Sequence, residues 1–108
     1  MSGGFRIFVS TAPPDVAPAI ARTLVDERIA ACVNIVPGVR SIYPWKGETC
    51  DDAESILLIK TTAARAADLT ARLKELHPYE VPELVAIEIR DGEGNPDYLA
   101  WLADSVGS

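Results

Sequence analysis

One histidine and two cysteines supply the imidazole and thiol chemistry of this 108-residue chain: His77, Cys32 and Cys50. Copper(II) prefers imidazole and accepts thiolate, with several ligands converging on one ion. No two of these residues stand at ligand spacing, so His77 is the single metal candidate, for Cu(II) or another divalent cation. Symmetry-related copies of His77 or Glu80 could add groups from a neighbouring subunit. The plainer reading makes His77 a helix C-terminal residue, its imidazole near the last carbonyls and Pro78 holding it rigid. Cys32, in the apolar run Ala31-Cys32-Val33, reads as a small buried hydrophobe. Cys50 lies near a turn beside Asp51 and Asp52, where its open chemistry is oxidation or adventitious binding of a soft metal.

Lys60 ends an apolar run, where it is placed to pair with Glu54, Glu80 or Glu83 or to meet an anionic ligand. Tyr43, Trp45, Tyr79, Tyr98 and Trp101 are five of the chain's seven Tyr, Trp and Phe residues. Such rings bury their bodies at subunit boundaries and keep their polar tips wet. These five with Lys60 and Glu80 define a candidate inter-subunit cleft, with Lys60 and His77 at its rim. His77 with Glu80 or Glu83 has the form of an acid/base pair, yet no nucleophile accompanies it. Phosphate loops, G-x-S-x-G and H-E-x-x-H are all absent, so no cofactor or enzymatic activity is expected.

The elements that must position these groups follow from periodicity. Phe5, Ile7 and Val9 alternate with Arg6, Phe8 and Ser10 as a strand. Pro13-Pro14 breaks it, and Asp15 is placed to cap a helix whose stripe is Val16, Ile20 and Leu24. Ala30 to Val36 and Val39 to Trp45 read as one strand bent or bulged at Pro37-Gly38. Lys46-Gly47 turns into a third strand, where Ile56-Leu57-Leu58-Ile59 implies burial on both faces. Thr62 is placed to cap a second helix bearing Ala66, Leu69, Leu73 and Leu76, and His77-Pro78 ends it. A fourth strand alternates Val85, Ile87 and Ile89 with Ala86 and Glu88. Asn95 as cap and Pro96 at the first helical position open a last helix. The order β-α-β-β-α-β is α+β and ferredoxin-like, with an extended second hairpin and an extra C-terminal helix.

A hairpin turning at Lys46-Gly47 pairs residues summing to about 93, give or take two, which sets Tyr43 opposite Cys50 and Val33 opposite Lys60. Its arms of about 14 residues far exceed a usual strand and overhang the helices. Val39, Ile42, Tyr43 and Trp45 then lack cover from their own chain, an aggregation hazard that neighbouring subunits would remove. Cys32 falls about 35 Å from Cys50 along the hairpin, which excludes an intrachain disulfide.

Five segments, in this order and spacing, carry a resemblance: VSTAPP, ERIAACVNIVPGVRSIYPWKG, ESILLIKT, LHPYEVPELVAIEI and NPDYLAWL. Across residues 5 to 105 they resemble the CutA divalent-cation tolerance family. The resemblance implies one domain over 1–108, similar to the PII signalling proteins, and a homotrimer knitted together by its long strands. It further implies a part in tolerance of copper and other divalent metals. Some members carry a cysteine near the end of the first strand and a His-His pair before Pro-Tyr, taken as copper ligands. Here those positions hold Ser10, Leu76 and His77, so one of the three ligand types is present. The second expectation is a PII-like scaffold binding a small ligand or partner between subunits.

Composition sets the outer bounds. An apolar fraction of 48% supports one folded domain. A net charge of −6 without clustered Lys and Arg argues against a nucleic-acid surface. The chain contains no apolar run near the ~20 residues of a membrane span. Met1-Ser2-Gly3-Gly4 leads straight into strand pattern, and two cysteines make no disulfide framework, so the expected compartment is the cytoplasm.

Overall fold

A computed structural model describes residues 4–107. Four strands form one antiparallel sheet: β1 (Phe5–Ala12), β2 (Cys32–Trp45), β3 (Glu48–Thr62) and β4 (Val85–Glu88). Their order across the sheet is β2-β3-β1-β4. Helices α1 (Ala17–Asp26), α2 (Ala66–Leu76) and α3 (Pro96–Ser105) complete the α+β fold.

Helices α1 and α2 cover one face. Phe8 and Ala12 of β1, with Leu57 and Ile59 of β3, point under Ile20, Leu24, Leu69 and Leu73 in one cluster. Leu24, Leu57, Ile59, Leu69 and Leu73 are fully buried, each worth about 1.5–3 kcal/mol of transfer free energy. Arg72 of α2 holds Glu27 at 2.8 Å and ties the helices together.

The helix ends partly differ from expectation. Asp15 does not cap α1: the N–H groups of Val16 and Ala17 instead donate to the Pro13 carbonyl at 3.1 Å. A backbone turn before the helix satisfies donors that a side chain would otherwise take. Thr62 is likewise no cap, because it extends β3 opposite Phe5, and a 3-10 turn (Ala63–Arg65) precedes α2. Asn95 does cap α3, its side chain accepting from Asp97 N–H at 3.0 Å, with Pro96 in the first turn. The chain leaves α1 through Arg28 at φ 60. That left-handed position usually favours glycine, and here the Arg28 side chain anchors it by donating to the Asp104 carbonyl at 3.0 Å.

The hairpin β2-β3 sets the shape of the molecule, which extends 44 × 25 × 22 Å. Its strands run 14 and 15 residues and turn at Lys46-Gly47, both at positive φ, the requirement of a type I′ turn. Tyr43 pairs with Cys50 as expected, but Cys32 rather than Val33 stands opposite Lys60. The irregularity at Pro37-Gly38 adds one residue to β2 and shifts the register below it.

That register decides what the second face carries. Cross-strand partners share a face, so Ile7, Ile87 and Lys60 form one row with Cys32. Val9, Val85 and Leu58 form the next with Asn34, and Ile56 pairs with Val36 beyond. Helix α3 covers only the margin, where Leu102 and Val106 pack on Ala31 and Phe5. The rest stays bare: Val85 is 54% exposed, Ile87 53% and Val36 40%. The burial expected on both faces of Ile56 to Ile59 is therefore complete on the helix side alone within one chain.

Candidate functional site

The residues after α2 build the site. His77 ends the helix in extended conformation, as a residue before proline prefers, and its N–H still donates to the Leu73 carbonyl. Its ring is buried, 6% exposed. The N–H of Tyr79 donates to Nδ1 at 3.1 Å, which assigns the proton to Nε2, 2.7 Å from the Thr11 carbonyl. Both ring nitrogens are thus engaged, and His77 clasps the end of α2 to β1. The next strand residue adds a second clasp, Ser10 Oγ donating to the Glu83 carbonyl at 2.6 Å.

Between these clasps and the hairpin lies a cleft of about 720 Å³. Ser41, Ile42, Tyr43 and Trp45 form one wall, Tyr79 to Glu83 the other, with Thr11 and Glu54 completing it. Glu54 is 3% exposed and accepts from the Tyr79 hydroxyl at 2.6 Å. The Tyr43 hydroxyl donates to Asp52. Burial, then the hydrogen bond to Glu54, holds the Tyr79 phenol well above its ordinary range. The hydrogen bond to Asp52 leads in pushing Tyr43 up to about 12. Both phenols therefore stay neutral donors at ordinary pH, and the lining carries Glu54, Glu80 and Glu83 without any lysine, arginine or histidine.

Four residues singled out by sequence meet here: Tyr43, Trp45, Tyr79 and Glu80. Lys60, Tyr98 and Trp101 do not join them within one chain. Lys60 lies on the second face and donates to Asn34 Oδ1 rather than to Glu54, Glu80 or Glu83. Tyr98 reaches the same face: burial and then its contacts with Cys32 raise its phenol. Trp101 stacks at 5.4 Å from Tyr98 and is 48% exposed. Cys32 is half-buried rather than enclosed, because it occupies that second face, and Cys50 is half-buried on the hairpin. Glu54 was legible only as an ion-pair partner. Its place two residues before the apolar run Ile56 to Ile59, with only Ser55 between, was the signal that it is drawn inward.

Copper ligation within one chain fits poorly. The Ser10 hydroxyl is buried and spent on Glu83, Leu76 offers no donor, and His77 has neither nitrogen free. Among the described residues no group of three His, Cys, Asp or Glu side chains is placed to hold a metal ion.

The sequence model of the CutA1 divalent ion tolerance protein matches residues 6–105. The chain belongs to the CutA1 family. The divalent-cation tolerance protein CutA of Thermus thermophilus is 50% identical over 101 residues, covering 94% of this chain and 96% of that protein. A solved structure of the divalent cation tolerance protein from Thermus thermophilus superposes with a TM-score of 0.89 at 51% identity, covering 95% of this chain and 99% of the other. The PII-like protein CutA from Nostoc sp. PCC 7120, in apo form, gives 0.90 at 41% identity over 94% and 97%. The family read from the five sequence segments, and the α+β fold class read from the order of elements, are thereby established. CutA1 proteins are named for tolerance of divalent cations, not for a catalysed reaction.

Proposed function

We propose that this CutA1 chain serves divalent-cation tolerance as a homotrimer, binding copper or another divalent cation without catalysing a reaction. The observation that carries the assembly is the second sheet face, where Val85, Ile87 and Val36 remain exposed beside Val9, Leu58 and Ile56. A stable single chain rarely leaves such a row in water. Ile42 and Trp45 on the overhanging hairpin, 66% and 42% exposed, call for the same cover. Three is the number of copies that the CutA resemblance implies. The proposed compartment is the cytoplasm, and no described helix is long and apolar enough to cross a membrane.

The cation site is proposed to be completed across subunits, with Glu80 and groups from a neighbour. A copper contact through His77 requires its Nδ1 to release the Tyr79 N–H. Titrating Cu(II) into wild type, Glu80→Gln and His77→Gln by calorimetry, with circular dichroism as the fold control, separates these arms. Weakening of at least tenfold in Glu80→Gln supports the cleft site, and loss confined to His77→Gln moves the contact to the imidazole. Identical binding by all three proteins, or no binding, contradicts the proposal.

One observation favours a second reading, a PII-like scaffold whose inter-subunit cleft holds a small ligand. Tyr43, Trp45, Tyr79 and Glu80 meet around a cavity of about 720 Å³, within the size range of small-molecule sites. Lys60, Tyr98 and Trp101 join this cleft only if a neighbouring copy brings its second face to it.

A further inference from the structure

We infer that the cleft beside the hairpin is an ammonium site, taking a protonated aliphatic amine or a quaternary ammonium group. This rests on the ligand-cleft reading above and names the chemical class of that ligand.

Glu54 is the first reason. It is 97% removed from water and receives one side-chain hydrogen bond, from a neutral phenol, on Oε2. Ion pairs among the described residues do not include it. A carboxylate taken out of water is normally matched by a cation or several donors. Its Oε1 receives no described side-chain donor, and the residue lines the cleft.

Trp45 is the second and independent reason. The Nζ of Lys46 already sits 5.7 Å from the centre of its ring. That is the geometry in which an indole face attracts an ammonium group. An external ammonium ligand would use the same chemistry in the cleft, beside Tyr43 and Tyr79. Both phenols have committed their protons to Asp52 and Glu54, so they offer a ligand their rings.

Competing classes fit less well. An anion would face Glu54, Glu80 and Glu83 with no basic residue in the lining. A neutral ligand would bring Glu54 no counter-charge. A hard divalent ion needs about six oxygens in fixed geometry, and no three acidic groups of one chain converge among the described residues. An ammonium group needs only opposite charge and aromatic surface.

The test uses the intact full-length protein at fixed salt, followed by calorimetry and by tryptophan fluorescence. The probes are tetramethylammonium and 1,4-diaminobutane, with 1,4-butanediol and glutarate as neutral and anionic controls. Saturable binding of the two ammonium probes, and of neither control, is expected. Trp45→Leu should weaken it about tenfold or more, and Glu83→Gln severalfold. Glu54→Gln should abolish it, and the partly exposed Trp45 carries the test if that variant fails to fold. Equal binding of the diol, undiminished binding by Trp45→Leu, or binding of divalent metal alone overturns the inference. A trimer that binds the diol or glutarate in the same cleft would sink the ammonium assignment while leaving the ligand-cleft reading intact. A monomeric protein that binds the two ammonium probes sinks the inter-subunit reading while leaving the ammonium assignment intact.

Discussion

Replacing Tyr79 by phenylalanine removes one oxygen and keeps the ring, which packs 4.7 Å from His77. The lost hydroxyl lies 2.6 Å from Glu54 Oε2, and Glu54 is 3% exposed, so its carboxylate has little other solvation to replace that donor. A hydrogen bond to a charged group contributes about 1.5–3 kcal/mol, and stranding a buried acceptor moves the cost toward the upper end, about 2–3 kcal/mol per chain. For a domain of this size, that corresponds to a fall in Tm of roughly 10–20 °C. Urea denaturation at one fixed chain concentration measures it, since dissociation of the proposed trimer would make the midpoint depend on concentration. In a cycle with Glu54→Gln, the two changes should couple by about 1–2 kcal/mol rather than add. A Tyr79→Phe protein within about 0.5 kcal/mol of wild type would refute the reasoning that this phenol is the principal partner of Glu54.

Ile87 is 53% exposed in the single chain, so Ile87→Ala should spare the fold and cost assembly about 1 kcal/mol per copy. Ile87→Asp should dissociate the protein at micromolar concentration, read by sedimentation velocity. Unchanged assembly in Ile87→Asp would exclude this face as the contact. All three tyrosines, Tyr43, Tyr79 and Tyr98, have raised pKa values, with Tyr43 at about 12. Tyrosinate absorbance in the folded protein should therefore begin only above the ordinary phenol range. The unfolded chain releases these protons first, so their stabilising contribution is whole below pH ~10 and declines as pH rises toward 12. A folded-state midpoint at the ordinary phenol value would contradict this. Leu57→Ala, at a fully buried position, should cost about 2–5 kcal/mol by chemical denaturation, and a smaller loss would mean the core collapses into the gap.

Much of the fold was legible because its signals were local. The alternation of Phe5 to Ser10, the Lys46-Gly47 turn and the Asn95-Pro96 helix start all specify geometry within a few residues. The departures share a different cause. Whether Asp15 or the Pro13 carbonyl satisfies the first N–H groups of α1 depends on how Pro13-Pro14 folds back, which composition does not encode. The one-residue shift that places Cys32 opposite Lys60 comes from the side of Pro37-Gly38 on which the extra residue falls. Proline announced an irregularity but not its sense.

The candidate site was legible in part for the same reason. Tyr43, Trp45, Tyr79 and Glu80 come together because one long hairpin and one short loop flank the end of β1. The partner of Lys60 was not legible, because its place at the end of an apolar run says nothing about which face it leaves by. The β3 register puts it beside Asn34, across the sheet from α1 and α2. His77 was identified as the one imidazole, but the hydrogen bonds that engage both its nitrogens come from backbone groups of Thr11 and Tyr79, which no side-chain pattern reveals.

The mass of the wild-type protein in dilute solution bears most directly on the proposal that other copies cover the bare sheet face and the overhanging hairpin. Sedimentation equilibrium at micromolar chain concentration should return three times the 11.6 kDa of one chain. A folded, non-associating species of 11.6 kDa would contradict it.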